Sequence, residues 1–366
     1  MNIWRALWLL PAACLSLTAV AQDTRSAPTP AGWQQCAGLS EDSARLACFD
    51  RWAREQATPP APAAQAATSP ISTTASTTID CRSGPQSALS RFWELEDGSD
   101  CGRFNIRGYK PISLSWVASD SVNTAPSSPT PGHTASSTPY LQTEGRIQLS
   151  VRTKLAQGFL THDDPVKRDS LWFGYTQQSY WQLFTPSISR PFRNTDHEPE
   201  LMYVVPTDAD LPGGWRLRYS GLSINHQSNG QSLPLSRSWN RVILMAGAEK
   251  DTRFTLTGRL WQRMPETADN DDNPAIEDYV GRAEVSGLWN LNRDHALGVT
   301  LRHSLNHAAN GSVRLEWLYA LGDGRRGGYA SGLRLHTQLF SGYGDSLVDY
   351  NRWRTTFSIG LSLVDW

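Results

Sequence analysis

A chain of 366 residues can hold two ordinary domains, or one barrel with an appendage. Its formal net charge of -1 leaves no basic footprint, which argues against a nucleic-acid partner. Beyond the N-terminal apolar stretch no run of about 18 apolar residues occurs, so no membrane helix is expected. The mean hydropathy of -0.44 decides nothing further, because only alternate residues of a barrel strand face lipid.

Residues 1–21 read as a signal peptide: Arg5, an apolar run from Ala6 to Val20, then Ala19-Val20-Ala21 ahead of Gln22. A lipoprotein reading through Cys14 is weaker, because Pro11 stands where an aliphatic residue belongs. Residues 22–56 form a small head in which Leu46, Ala47, Phe49 and Trp52 predict one short amphipathic helix. Residues 57–79 are almost entirely Ala, Pro, Ser and Thr, which cannot bury enough apolar surface to fold and read as a disordered linker. A pre-barrel segment follows at 80–103. Cys36, Cys48, Cys81 and Cys101 all lie before the barrel, and an even number in an exported chain suggests two disulfides. Cys36–Cys48 with Cys81–Cys101 is the simplest of three pairings.

From 104 to 366 the pattern is alternation, broken by Gly, Asn, Asp and Pro clusters. About twelve segments qualify: 104–118, 144–156, 170–184, 199–207, 214–228, 236–249, 253–263, 277–290, 295–305, 312–321, 328–341 and 352–365. Val313, Leu315, Trp317 and Tyr319 form one apolar stripe, and Phe357, Ile359, Leu361 and Leu363 another. An even number of strands, each long enough to cross a bilayer at a tilt, predicts an all-β fold, a twelve-stranded antiparallel transmembrane β-barrel. A soluble sandwich or propeller is the alternative. The aromatics near strand ends and the terminal Trp366 count against it, although Trp366 is out of phase with the last stripe.

The chemistry sits on the fifth and sixth segments. His226 and Ser228 are two apart on a strand, so both leave the same face, about 7 Å apart. Leu222 and Ile224 share their parity, which makes that face the lipid side. Polar groups there are costly unless they perform a task, whereas the bland reading has them merely solvated beyond the membrane edge. Asn240 begins the next strand with matching parity, so it can hold the far nitrogen of the imidazole. A serine needs a base, and the base needs a group that fixes its tautomer. A neutral amide is cheaper to desolvate there than a carboxylate. Neither G-x-S-x-G nor H-E-x-x-H occurs, so the common soluble hydrolase signatures are absent.

Four blocks resemble the outer membrane phospholipase A family: Tyr175 to Leu183 (YTQQSYWQL); Pro191-Phe-Arg193 with Glu198-Pro199; Asn225 to Gly230 (NHQSNG) with Ser236 to Arg241 (SRSWNR); and Ser341 to Asn351. Asp271 to Pro274 (DDNP) is a smaller fifth. The resemblance runs from about 104 to 366 and leaves the head and linker outside it. It implies a Gram-negative outer-membrane enzyme that cleaves phospholipids at either acyl position (sn-1 or sn-2, phospholipase A1 and A2), and lysophospholipids. Ser228 would be nucleophile, His226 base and Asn240 orienter. The resemblance also implies Ca2+ held by carbonyls at Gln231 and Ser236, the Ser236 hydroxyl and a Ser189 carbonyl from a second subunit. The active form would be a homodimer at the outer leaflet, with Gln177 a buried polar contact. Where the family has a basic residue, this chain has Gln231, which removes charge beside the metal.

The rival reading is a non-enzymatic barrel, either a pore or a structural protein; a third is a soluble secreted esterase. The acids at Asp269, Asp271 and Asp272 read as a turn, and Asp345 and Asp349 as structural. His133, His162, His197, His295, His303, His307 and His336 show no convergent partner in sequence, so loop or lumen roles are expected for them.

Overall fold

The computed structural model describes residues 32–56, 86–162, 164, 167–322 and 332–364. The expected signal segment, the linker, Cys81 and Trp366 lie outside the described residues. The chain divides into two units, Met1–Thr73 and Thr74–Trp366.

In the first unit the head forms two helices, α1 (Gly32–Ala37) and α2 (Asp42–Gln56), where the sequence suggested one. Gly38 ends the first, consistent with the poor helix propensity of glycine. The Cys36–Cys48 disulfide staples the pair across a Cα separation of 5.4 Å, as the simplest pairing anticipated.

The second unit is a closed antiparallel barrel of twelve strands. These are β2 (Ile112–Ser119), β3 (Thr143–Gln157), β4 (Ser170–Trp181), β5 (Asn194–Leu211), β6 (Trp215–Ser228), β7 (Ser238–Lys250), β8 (Phe254–Arg263), β9 (Ala283–Asn290), β10 (His295–His303), β11 (Gly311–Ala320), β12 (Leu333–Gly342) and β13 (Arg354–Leu363). Each pairs with its neighbours in sequence, and β13 with β2 closes the ring. Closure gives each of these twelve strands a partner on both sides, as a membrane demands of a sheet.

Three boundaries differ from the sequence reading. The segment at 104–118 is two strands, β1 (Ile106–Gly108) and β2, which pair with successive stretches of β3. Pro111 lacks an N–H for the ladder and interrupts it. The segment at 277–290 opens with a helix, α4 (Ile276–Val280), because Ile276, Tyr279 and Val280 carry helical rather than strand spacing. Strand β5 starts before Pro199 and runs beyond Pro206, with a bulge between Pro206 and Ala209 absorbing the break.

The alternation sorts as expected. Leu315, Trp317, Tyr319, Phe357, Ile359, Leu361 and Leu363 are exposed on the outer wall, while His336, Gln338, Thr356 and Ser358 are buried within. Ion pairs line the lumen, among them Arg193 with Glu144 at 2.9 Å and with Asp349 at 3.1 Å, and Lys110 with Glu198 at 2.9 Å. A helix, α3 (Ala88–Trp93), caps one end. Its Leu89 and Trp93, with Leu95 just beyond, pack on Tyr109, Trp172, Met202, Val204, Tyr219 and Met245. The Ser87 hydroxyl caps its N-terminus by accepting from the Ser90 N–H. At the opposite end Trp239, Ile243, Trp261, Ile276, Val280, Leu347 and Tyr350 form a second core.

These two ends can be told apart. At the α3 end the strands join through turns such as 212–214, 251–253 and 291–294; at the other the connections span 120–142, 264–282 and 343–353. Barrels of this kind keep short turns in the periplasm and long loops outside. Around the α3 end runs an aromatic belt in which Phe254 stacks on Trp289 at 5.6 Å and His295 on Trp317 at 5.7 Å. Amphipathic rings of this kind settle at a membrane interface.

Candidate active site

Strand β6 climbs from the aromatic belt to the long-loop end, and its exposed residues alternate with buried ones up to His226. Leu222 and Ile224, exposed at 46% and 53%, lead up the outer wall to His226 and then Ser228, the last residue of the strand. The pair therefore lies on the lipid side near the external rim. Ser223 and Asn225, one step out of phase, are buried in the lumen.

Register brings the third residue in. His226 lies directly opposite Asn240 on β7, and its Nδ1 meets the Asn240 Oδ1 at 2.8 Å. With Nδ1 donating, Nε2 is left as an acceptor for a proton. No hydrogen bond joins the Ser228 hydroxyl to the imidazole among the described residues, although the serine and its base share a face. Catalytic hydrogen bonds are often long before substrate tightens them.

The loop at 229–237 is held by Asn229. Its Oδ1 accepts from the Arg237 N–H at 2.9 Å, and its Nδ2 donates to the Leu235 carbonyl at 2.7 Å. Gly230 sits at φ +61, a conformation that favours glycine.

The expected calcium ligands fall in two loops. The Gln231 side chain turns to β5, donating to Asn194 Oδ1 at 3.0 Å, which leaves its backbone carbonyl as the group of interest. The Ser236 hydroxyl donates to Asp272 Oδ2 at 2.6 Å, and the Ser236 carbonyl accepts from the Arg237 guanidinium at 2.6 Å. The Ser189 carbonyl accepts from Trp181 Nε1 at 2.8 Å. Carbonyls, a hydroxyl and a neighbouring carboxylate are hard oxygen donors of the kind that suit calcium. The donor types suit the ion, although a cation at the Ser236 carbonyl would have to displace the Arg237 contact. Among the described residues no three His, Cys, Asp or Glu side chains gather as a metal cluster.

Several contacts escaped the sequence reading. Asp272 lies against Ser236 and also meets His133 Nε2 at 3.0 Å, so His133 does have a convergent partner. His197 lies directly opposite Ser228 across the β5–β6 ladder, and its Nδ1 meets the Tyr175 hydroxyl at 2.7 Å. It is an outer-wall residue, neither loop nor lumen, and the same holds for His295 in the aromatic belt. The parity of His197 with Pro199 and Leu201 was the signal that could have found it. Glu266 reaches Asn240 from the loop after β8, where its Oε1 accepts from Asn240 Nδ2 at 3.1 Å. Its position in a loop gives no periodicity to read. Gln177 stands on the outer wall of β4, between Tyr175 and Ser179, and bonds to both. His336 pairs with Glu316 in the lumen at 3.0 Å, and Asp345 and Asp349 are buried beside Arg354, as structural roles require.

The family described as Phospholipase A1 matches residues 89–363. A Neisseria meningitidis serogroup B protein, "Putative phospholipase A1", is 34% identical over 363 residues that cover 90% of either chain. The Escherichia coli outer membrane phospholipase A, solved as an active-site asparagine-to-alanine mutant, matches with a TM-score of 0.61 and 30% identity, covering 73% of this chain and 94% of that one. The Salmonella typhi outer membrane phospholipase, solved as a dimer with bound calcium, matches with a TM-score of 0.61, 30% identity and the same 73% and 94% coverage.

Proposed function

The chain belongs to the phospholipase A1 family and is an outer-membrane β-barrel enzyme, and on that premise we propose that it hydrolyses phospholipid acyl esters with Ser228 as nucleophile, His226 as base and Asn240 as orienter. The observation that carries the proposal is the 2.8 Å contact of His226 Nδ1 with Asn240 Oδ1 on the outer wall. The active-site asparagine of the Escherichia coli relative adds support.

The alternating wall explains how substrate arrives. Leu222, Ile224 and Leu244 form an apolar surface beneath the site that acyl chains of an outer-leaflet lipid can lie against, with the ester at the height of Ser228. Ser228 Oγ attacks the ester carbonyl and passes its proton to His226 Nε2. The tetrahedral intermediate collapses, the glycerol oxygen leaves with that proton, and the acyl group stays on Ser228. Water then attacks with His226 again as base, and fatty acid departs. The backbone N–H of Ser228 serves the oxyanion. Either acyl position, and lysophospholipid, can present an ester to a site open on one side.

Calcium, when bound at the Ser236 and Gln231 carbonyls, the Ser236 hydroxyl and a partner copy's Ser189 carbonyl, supplies positive charge that stabilises the oxyanion. Dimerisation through the wall that carries Gln177 would complete that ligand set. Activity would then stay low in an intact membrane and rise when phospholipid reaches the outer leaflet. The calcium-bound dimer of the Salmonella typhi relative supports both points. The pore reading loses ground to family membership and to the α3 cap at one end of the lumen.

The test is fatty-acid release from mixed micelles carrying lipid labelled at sn-1 or sn-2, wild type against Ser228→Ala, with calcium or EDTA. Release that needs both Ser228 and calcium is expected. Release unchanged in Ser228→Ala would sink the site. Release that survives EDTA would remove the calcium reading alone.

A further inference from the structure

We propose that Glu266 is a positioning residue of this site, acting through Asn240 on His226; the inference rests on the catalytic reading above. The orientation of Asn240 is the weak point of that reading. An amide rotated by half a turn would offer Nδ2, a donor, to an imidazole nitrogen that must itself donate. At the rim of the outer wall little else distinguishes the two ends of the amide.

Glu266 supplies the distinction. A carboxylate can only accept, so it draws Nδ2 to itself, at 3.1 Å from Oε1, and turns Oδ1 to His226. The chain of bonds then has one polarity from end to end. Its start is anchored by the backbone, because the Met264 N–H donates to the Asn240 carbonyl at 2.8 Å and brings the 264–266 turn alongside β7. Its far end is held by Arg263, whose Nη2 lies 3.1 Å from Glu266 Oε2. Arg263 is itself fixed by Asp271 at 2.6 Å, and both Arg263 and Glu266 are largely shielded, with side-chain exposures of 8% and 16%.

The arrangement also accounts for an asparagine at this position. A carboxylate opposite His226 would stand on the lipid face, where its desolvation is costly. One residue further out, in a loop with an arginine partner, the carboxylate is tolerated, and the neutral amide transmits its directional effect. Neither Glu266 nor Arg263 touches substrate in this scheme.

The test compares Glu266→Ala, Glu266→Gln, Asn240→Ala and the Glu266→Ala/Asn240→Ala double variant, each as folded full-length protein checked by its heat-modifiable gel migration. Losing one orienting hydrogen bond should lower kcat about 3- to 10-fold in Glu266→Ala, with KM unchanged. Glu266→Gln has one carbonyl oxygen for two donors, Arg263 and Asn240, and so turns its NH2 to one of them; it should lose activity with Glu266→Ala rather than recover. The double variant should be no slower than Asn240→Ala, because the effect passes through Asn240. A wild-type kcat in Glu266→Ala would overturn the proposal, as would an equal further loss in the double variant. Ser228→Ala, run alongside, separates the two levels: if it stays active the whole site is wrong, and if it is dead while Glu266→Ala is normal, only Glu266 is excluded.

Discussion

Replacing Asn240 with alanine gives the sharpest measure of how much the third residue contributes. Its side chain makes two hydrogen bonds, to His226 Nδ1 at 2.8 Å and to Glu266 Oε1 at 3.1 Å, and only the first touches the catalytic base. In the transition state that bond runs from a positively charged imidazolium to a neutral amide oxygen. Hydrogen bonds to charged groups contribute about 1.5–3 kcal/mol, which corresponds to about 10- to 150-fold in rate. That is well below the roughly 10⁴-fold cost of weakening an aspartate-supported triad, because asparagine brings no full charge to support the imidazolium. Removing the nucleophile itself should cost far more, on the order of 10⁶-fold. The assay is initial-rate release from mixed micelles at several lipid mole fractions, so that kcat and KM separate. KM should hardly move, since the amide contacts the imidazole and not the lipid. A loss beyond about 10³-fold in a correctly folded variant would refute the reasoning, and so would a loss below about 3-fold.

Three further expectations follow from neighbouring geometry. His197→Ala should leave kcat within about 3-fold of wild type, because the His197 Nδ1 is engaged by Tyr175 and His226 holds the orienting contact; a loss near that of His226→Ala would make His197 the base. Trp93→Ala should lower barrel stability by about 3–5 kcal/mol, as for other buried large-to-small changes, while turnover at low temperature persists; urea unfolding in micelles measures it, and a change below about 1 kcal/mol would mean α3 does not brace the end of the barrel. Burial works to raise the Asp349 carboxyl pKa, but Arg193 and Arg354 outweigh it and hold the group below its ordinary value. A depressed folded-state pKa contributes stability above the unfolded value of about 3.9, lost as pH falls below it. Thermal stability should therefore drop below about pH 4, and Asp349→Asn should flatten that drop while costing about 3 kcal/mol at neutral pH; an unaltered profile would contradict the pairing.

What the sequence reveals here follows from which constraints are local. Barrel strands obey a period of two, so Leu222, Ile224 and His226 announce a shared face without any knowledge of partners. The register that sets Asn240 opposite His226 was also accessible, because a single loop joins the two strands. Contacts between distant loops were not. Asp272 meets Ser236, and Glu266 meets Asn240, by way of the long connection after β8, where no periodicity governs side-chain direction. The α3 cap was within reach, since Leu89, Phe92 and Trp93 have helical spacing, but a six-residue helix gives too brief a pattern to stand out beside twelve strands. The misread start of β9 has the same origin: five residues at Ile276–Val280 look like strand to a reading tuned to alternation.

The central claim is that Ser228 is the nucleophile on the outer wall, and covalent trapping tests it most directly. Folded protein would be treated with a hexadecyl sulfonyl fluoride in micelles containing calcium, digested, and mapped by mass spectrometry. The account predicts one adduct, on the peptide carrying Ser228, formed as fatty-acid release is lost and absent from both Ser228→Ala and His226→Ala. An adduct on another residue, or complete inhibition with Ser228 unmodified, would contradict it.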